Sequence, residues 1–214
     1  MDGELLQRLF RPPTRSDRFY GVSIGIVTNN QDPDNLGRVK VKLPWLSDEE
    51  ESHWARVLTL MAGNDRGIYF LPEVDDEVLV AFQHGMIEFP CVLGSLWNGK
   101  DAPPESNEDG ENNMRTIKSR SGHIIRLNDT DGEEKIEIID SSGNNSIVIS
   151  TADNTVTVSA DADISIQTGN GKLTLQGNGI EIKSQAAVKV EAGSDMNLEA
   201  SGQQTIKGSV VNIN

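Results

Sequence analysis

The residues of this chain best suited to acid–base or metal chemistry are three histidines, one cysteine and two runs of carboxylates, and their spacing assembles no centre. His53, His84 and His123 stand far apart, with no nucleophile or second ligand at a motif distance. Each is expected to be structural. Asp48, Glu49, Glu50 and Glu51 carry the carboxylate pair that glycoside hydrolysis requires. Four consecutive acids without an apolar frame fit a solvated loop better. Asp75, Asp76 and Glu77 precede an apolar alternating stretch, where turn formation accounts for them. Cys91 is the only cysteine, so no intrachain disulfide is possible, and it reads as a small core residue. The chain is therefore expected to have no catalytic residue, no metal site and no cofactor: not an enzyme.

The net charge of −14 argues against a polyanionic partner. A nucleic-acid binder needs a basic face that releases counterions from phosphates, and a single-strand binder needs stacking rings in a basic groove. Only Arg8, Arg11, Arg15 and Arg18 cluster, in a leader containing Pro12 and Pro13, where a solvated linker or docking arm is the simpler reading. No nucleic acid is expected as partner.

All aromatic residues lie at or before Trp97 and all prolines at or before Pro104, so two architectures must join near residue 100. Residues 1–18 read as a docking leader. Leu5, Leu6, Leu9 and Phe10 have near-helical spacing, and Pro12 and Pro13 stop the turn. The leader lacks the long apolar core of a signal peptide, and no stretch approaches a membrane helix, so synthesis in the cytoplasm without a classical export signal is expected. Residues 19–97 read as a compact barrel. Its expected strands are Tyr20 to Thr28, Arg38 to Leu43, Ala55 to Met61, Glu77 to Gln83 and Cys91 to Leu96. Residues 98–117, rich in Gly, Pro, acids and amides, read as a linker.

Residues 118–214 contain a repeat. Aliphatic pairs two residues apart recur as Ile147/Ile149, Val156/Val158, Ile164/Ile166, Leu173/Leu175, Ile180/Ile182, Val188/Val190, Met196/Leu198 and Val211/Ile213, and Gln204/Ile206 bridges the longest gap. The period is close to eight. Gly, Asn, Asp, Ser and Ala fill the spaces, so each octad reads as a short strand and a corner. Ordering eight residues costs roughly 8 to 16 kcal/mol, and two buried aliphatic side chains return only about 1.5 to 3 kcal/mol each. One octad cannot fold alone. Eight residues form one wall and one corner, and no higher period near 24 marks three different walls in one chain. Three identical chains around one axis explain the pattern: a homotrimeric, triple-stranded β-helix with these aliphatic pairs in its core. About ten octads at one strand spacing each give a needle on the order of 45 Å long.

Several blocks then resemble one family in order. Gly37-Arg38-Val39-Lys40-Val41-Lys42-Leu43-Pro44-Trp45 is similar to its GRVKVxxPW segment, and Trp54-Ala55-Arg56-Val57 to its W-x-R-V. Gly67 to Phe82 matches its G-x-x-F-x-P-x-V-G-D-E-V-L-V-x-F block, and Pro90, Val92, Leu93, Gly94, Ser95, Leu96 and Trp97 match the close of its barrel. Lys118 to His123, Leu127 to Asp129 and Gly132 to Ile136 resemble its entry into the needle. From about residue 20 onward the chain resembles the VgrG/gpV class of baseplate spikes.

That resemblance implies an all-β fold: an OB-fold base followed by the intertwined trimeric β-helix. It also implies a separate hub protein at the N-terminal side, met by Leu5, Leu6, Leu9 and Phe10. A PAAR-type tip protein would sit on Val211, Asn212, Ile213 and Asn214. Two departures matter. Position 75 is Asp where the family usually has Gly, and no large hub domain stands before the barrel as in VgrG, so a separate hub is expected. No His follows His123 to hold a metal at the apex, so a separate tip protein is expected there. The expected function is a membrane-piercing spike at the centre of a contractile injection machine, built into a phage tail-like particle and touching the target membrane transiently. The alternative is a trimeric tailspike that degrades polysaccharide; it needs aromatic platforms, and the repeat half has none.

Overall fold

The computed structural model describes residues 18–47 and 49–212. Leu5, Leu6, Leu9 and Phe10 of the leader, Asp48, Ile213 and Asn214 lie outside the described residues. Two compact units divide at Asp161 and Ala162.

The first unit begins with the expected barrel. β1 (Val22–Asn29), β2 (Arg38–Lys42), β3 (Ala55–Val57), β6 (Glu77–Phe82) and β7 (Pro90–Ser95) close in the order β1-β2-β3-β7-β6, with β3 and β7 parallel and the other pairs antiparallel. Alternation in β2 works as its sequence demands: Val39 and Val41 are fully buried, while Arg38, Lys40 and Lys42 face outward. They pack with Val27, Val78, Val80, Phe82 and Val92 as one core.

β1 inverts the order its hydrophobicity suggests. Val22 and Ile24 lie on the outside, half exposed, whereas Ser23 and Gly25 point inward. The cause is space. A Cβ on Gly25 would stand 3.0 Å from Val80 Cγ2 and 3.4 Å from the Lys42 carbonyl oxygen. The barrel is too narrow there for a second large side chain.

The β1–β2 turn is organised by Asp32. Its carboxylate accepts from the backbone N–H groups of Asp34 at 3.1 Å, Leu36 at 3.0 Å and Arg38 at 3.2 Å, and from Arg38 Nε and Nη2 at 2.8 and 2.6 Å. The Arg38 side chain foremost, then these backbone donors, hold the Asp32 carboxyl well below the usual carboxylate range, against the opposing effect of burial. A group depressed on folding contributes stability above its unfolded value of about 4, and that contribution fades as pH falls below it. Thermal unfolding followed from about pH 6 down to about pH 2 is expected to show a falling midpoint below about pH 4. Asp32→Asn should flatten that part of the profile.

Between β3 and β6 the chain runs out as an arm tipped by a small hairpin, β4 (Ala62–Gly63) paired with β5 (Arg66–Gly67). Gly67 is obligatory at φ 152, since a Cβ there would meet the Met61 carbonyl oxygen at 2.5 Å. The expected strand Ala55 to Met61 therefore ends at Val57, where the chain leaves the barrel for the arm.

Beyond residue 97, Asn98 and Asn107 organise local turns. A second sheet follows: β8 (Met114–Lys118), β9 (Ile124–Asn128), β10 (Lys135–Ile139), β11 (Ser146–Ser150) and β12 (Thr155–Ser159), an antiparallel meander in sequence order. β8 starts inside the stretch 98–117 expected as linker. Residues 118–159, expected as needle, reverse direction at every turn. Gly122, Gly132, Gly143 and Asn154 supply the positive φ that tight reversals need, at 100°, 77°, 77° and 54°.

In the second unit, described to residue 212, no residue has positive φ and no strand pairs with another. Backbone bends recur at 161–162, 169–171, 177–178, 185–186, 193–194, 201–202 and 209–210. Each set begins eight residues after the last, so the corners read from composition are backbone corners.

Candidate interaction surface

The meander is amphipathic in the wrong sense for a chain folded alone. Its strands align in register, so one row runs Ile117, Ile125, Ile138, Ile147, Val158 and a second runs Arg115, Leu127, Ile136, Ile149, Val156. Each residue two apart shares a face, so nine aliphatic side chains cover one side of the sheet. They are 41 to 69 % exposed. The opposite, polar side is the better covered one: Asn128 is 5 % and Glu137 8 % exposed.

Residues of the expected linker supply part of that cover. Glu105 accepts from Thr116 Oγ1 at 2.7 Å and pairs with Arg126 at 2.8 Å. Thr116 first, then the Arg126 guanidinium, lowers the Glu105 carboxyl. Glu137 lies 3.7 Å from Arg126 and 3.1 Å from Lys135, so the buried carboxylate is paired rather than isolated.

Of the residues assigned from sequence to a trimer core, Ile147, Ile149, Val156 and Val158 stand on this face. Sequence reasoning omitted Ile117, Ile125, Leu127, Ile136 and Ile138, although the period-two alternation of Ile136 and Ile138 carried the signal. Ile164, Ile166, Leu173, Leu175, Ile180, Ile182, Val188, Val190, Met196, Leu198, Ile206 and Val211 belong to the second unit, all exposed between 48 and 72 %. Within most pairs the first member is the less exposed, as with Ile164 at 54 % and Ile166 at 68 %. Asn212 is exposed too.

Among the described residues no group of three or more His, Cys, Asp or Glu side chains is placed to hold a metal ion, and His53 shares a small cleft with Glu50 and Glu51. His123 Nδ1 accepts from the Ser141 N–H at 3.1 Å, and His84 sits in a short turn at φ 53°. Glu51 pairs with Lys40 at 3.1 Å. Asp75 and Asp76 bond to Val27 across the barrel, the Asp75 N–H donating at 2.8 Å and the Asp76 carbonyl accepting at 3.0 Å. Asp75 has φ 78°. Asp75→Gly is expected to raise stability by up to about 1 kcal/mol by relieving that conformation, measured as a higher thermal midpoint.

Residues 23–97 match the family described as the type VI secretion system/phage-baseplate injector OB domain. The match spans the closed barrel, from the second residue of β1 through β7 to Trp97. The chain is VgrG/gpV-like, and curated spike proteins align with it. It is 33 % identical over 144 residues to the type VI secretion system spike protein VgrG4b of Pseudomonas aeruginosa, covering 59 % of this chain and 18 % of the relative. It is 31 % identical over 111 residues to VgrG3 of Vibrio cholerae, covering 48 % of this chain and 11 % of the relative. Against VgrG1a of Pseudomonas aeruginosa it is 30 % identical over 119 residues, 49 % of this chain and 18 % of the relative. The chain thus spans less than a fifth of these relatives' length. The matched stretch contains the blocks that carried the resemblance, from Gly37-Arg38-Val39 to Leu96-Trp97.

Proposed function

We propose that this chain is the trimeric central spike of a contractile injection baseplate. In this reading its OB domain joins a separate hub, its octads form a triple-stranded β-helix, and its far end receives a PAAR-type tip. The domains are the leader 1–18, barrel 19–97, linker 98–117, whose last residues begin β8, and needle 118–214, whose first forty or so residues complete the meander. One observation carries the reading: two rows of aliphatic side chains stand open on the meander while Asn128 and Glu137 on its other side are buried. Unpartnered apolar area of that extent belongs against another surface. Three copies turning these faces inward form a closed core with no free face.

The octads support the same assembly. Their apolar pairs have no partner in their own chain among the described residues, and their corners recur at the interval that a wall shared by three copies requires. Function follows from rigidity. Sheath contraction supplies the work, and ladders of backbone hydrogen bonds along the axis transmit it to a narrow apex that punctures the target envelope. The particle is assembled from cytoplasmic subunits, and contact with the target membrane is transient.

Analytical ultracentrifugation with negative-stain imaging tests this. A particle of three times 23.3 kDa bearing a thin rod is expected. A folded 23.3 kDa single chain would end the proposal.

A further inference from the structure

The outside of the barrel is charged over β2, where Arg38, Lys40 and Lys42 face outward, and apolar over β1, β6 and β7. Register makes the apolar part continuous. Val22 lies opposite Ala81, Ile24 opposite Leu79, and Ala81 in turn opposite Cys91, so their side chains stand together on one side of the sheet. Val22 and Ile24 are exposed, while Leu79, Ala81 and Cys91 are half-buried. Leu93, two residues beyond Cys91, is exposed as well. A contiguous apolar surface of this kind marks a contact.

The chain enters β1 at one end of this face. The Phe19 N–H donates to the Gly85 carbonyl at 2.8 Å and Arg18 Nη1 to the His84 carbonyl at 3.3 Å, which pins the entry to the turn between β6 and β7. Val22, Ala81 and Cys91 are the face residues nearest that turn. Residues 1–17 precede this anchored point and carry Leu5, Leu6, Leu9 and Phe10.

We propose that the leader turns back and packs Leu5, Leu6, Leu9 and Phe10 on the Val22, Ala81 and Cys91 face of its own barrel. These residues thereby cover their own chain, in place of the hub contact that the resemblance implies, and the contact does not depend on the trimeric reading. Reach permits it. The residues from Arg11 to Gly21 span up to about 35 Å at roughly 3.3 Å each, whereas three strands make a face only about 10 Å across. Size selects it. A free partner takes roughly 20 to 30 residues a side, far more than this face offers. A tethered segment needs less surface, because its linker holds it at an effective concentration of about millimolar.

Cys91, the only cysteine, stands on the face and reports its cover directly. Maleimide labelling of the native chain is compared with that of a variant carrying Leu5→Ser, Leu6→Ser, Leu9→Ser and Phe10→Ser, all outside the barrel. The variant is expected to label at least about tenfold faster, and equal rates would overturn the inference. A second experiment asks whose barrel is covered. Leu5, Leu6, Leu9 and Phe10 are replaced by Cys one at a time, and each variant is oxidised with diamide. At least one is expected to lose both thiols yet run as a single chain on non-reducing denaturing electrophoresis. Linkage in none of them, or only between chains, would overturn the placement. The sedimenting mass of the leader variant reads the trimeric proposal separately, since the meander and the octads are unchanged.

Discussion

Ile138→Asp is expected to abolish the trimer, leaving chains that sediment singly or aggregate. In one chain Ile138 is 48 % exposed, between Ile125 and Ile147 on an open sheet face. A substitution at such a site costs about 0.5 kcal/mol or less when the surface is wet. Within a trimer core the same change places three carboxylates close together in a dry interior, at several kcal/mol each. The two environments predict outcomes far apart. Sedimentation at micromolar concentration decides between them, and an intact trimer with an unchanged thermal midpoint would refute the core assignment. Glu137→Gln is the natural comparison, because it lies on the covered polar side beside Arg126 and Lys135. It should lower stability without changing the mass.

Gly25→Val is expected to destabilise the barrel by about 1–3 kcal/mol. The strand pattern favours valine, a β-branched residue in a run of Val and Ile, and β propensity alone would predict a gain. Geometry reverses the sign. The new Cβ begins 3.0 Å from Val80 Cγ2, and its two methyl groups have nowhere to go between Val80 and Val41. Gly25→Ala should cost less, because Val80 needs to move only a few tenths of an ångström. Ile24→Val, pointing outward one residue away, should change stability by no more than about 0.5 kcal/mol. Chemical denaturation of the three variants measures the ordering, and a Gly25→Val protein as stable as the parent would mean that β1 faces the other way.

Strand placement in the barrel was legible because alternation and turn chemistry are local. Arg38-Val39-Lys40-Val41-Lys42 can bury only one face, and Asp32, Asn35 and Gly37 can only be a turn. The arm was not legible. Ala55 to Met61 reads as one strand, yet pairing stops at Val57, since whether a strand continues depends on a neighbour far away in sequence. The meander was half legible: its residues and alternation were visible, and its reversals depended on Gly122, Gly132, Gly143 and Asn154 adopting positive φ, which glycine and asparagine permit without requiring.

From the order of its residues alone the chain is all-β in two architectures, a barrel followed by a repeat of about eight residues. Composition and period decide these, and both are properties of the chain read in order. The tertiary structure alone decided which way β1 faces, where the meander turns, and that its aliphatic face is the open one. A period of two assigns residues to opposite faces, but only the atoms across the barrel and across the sheet say which face is in.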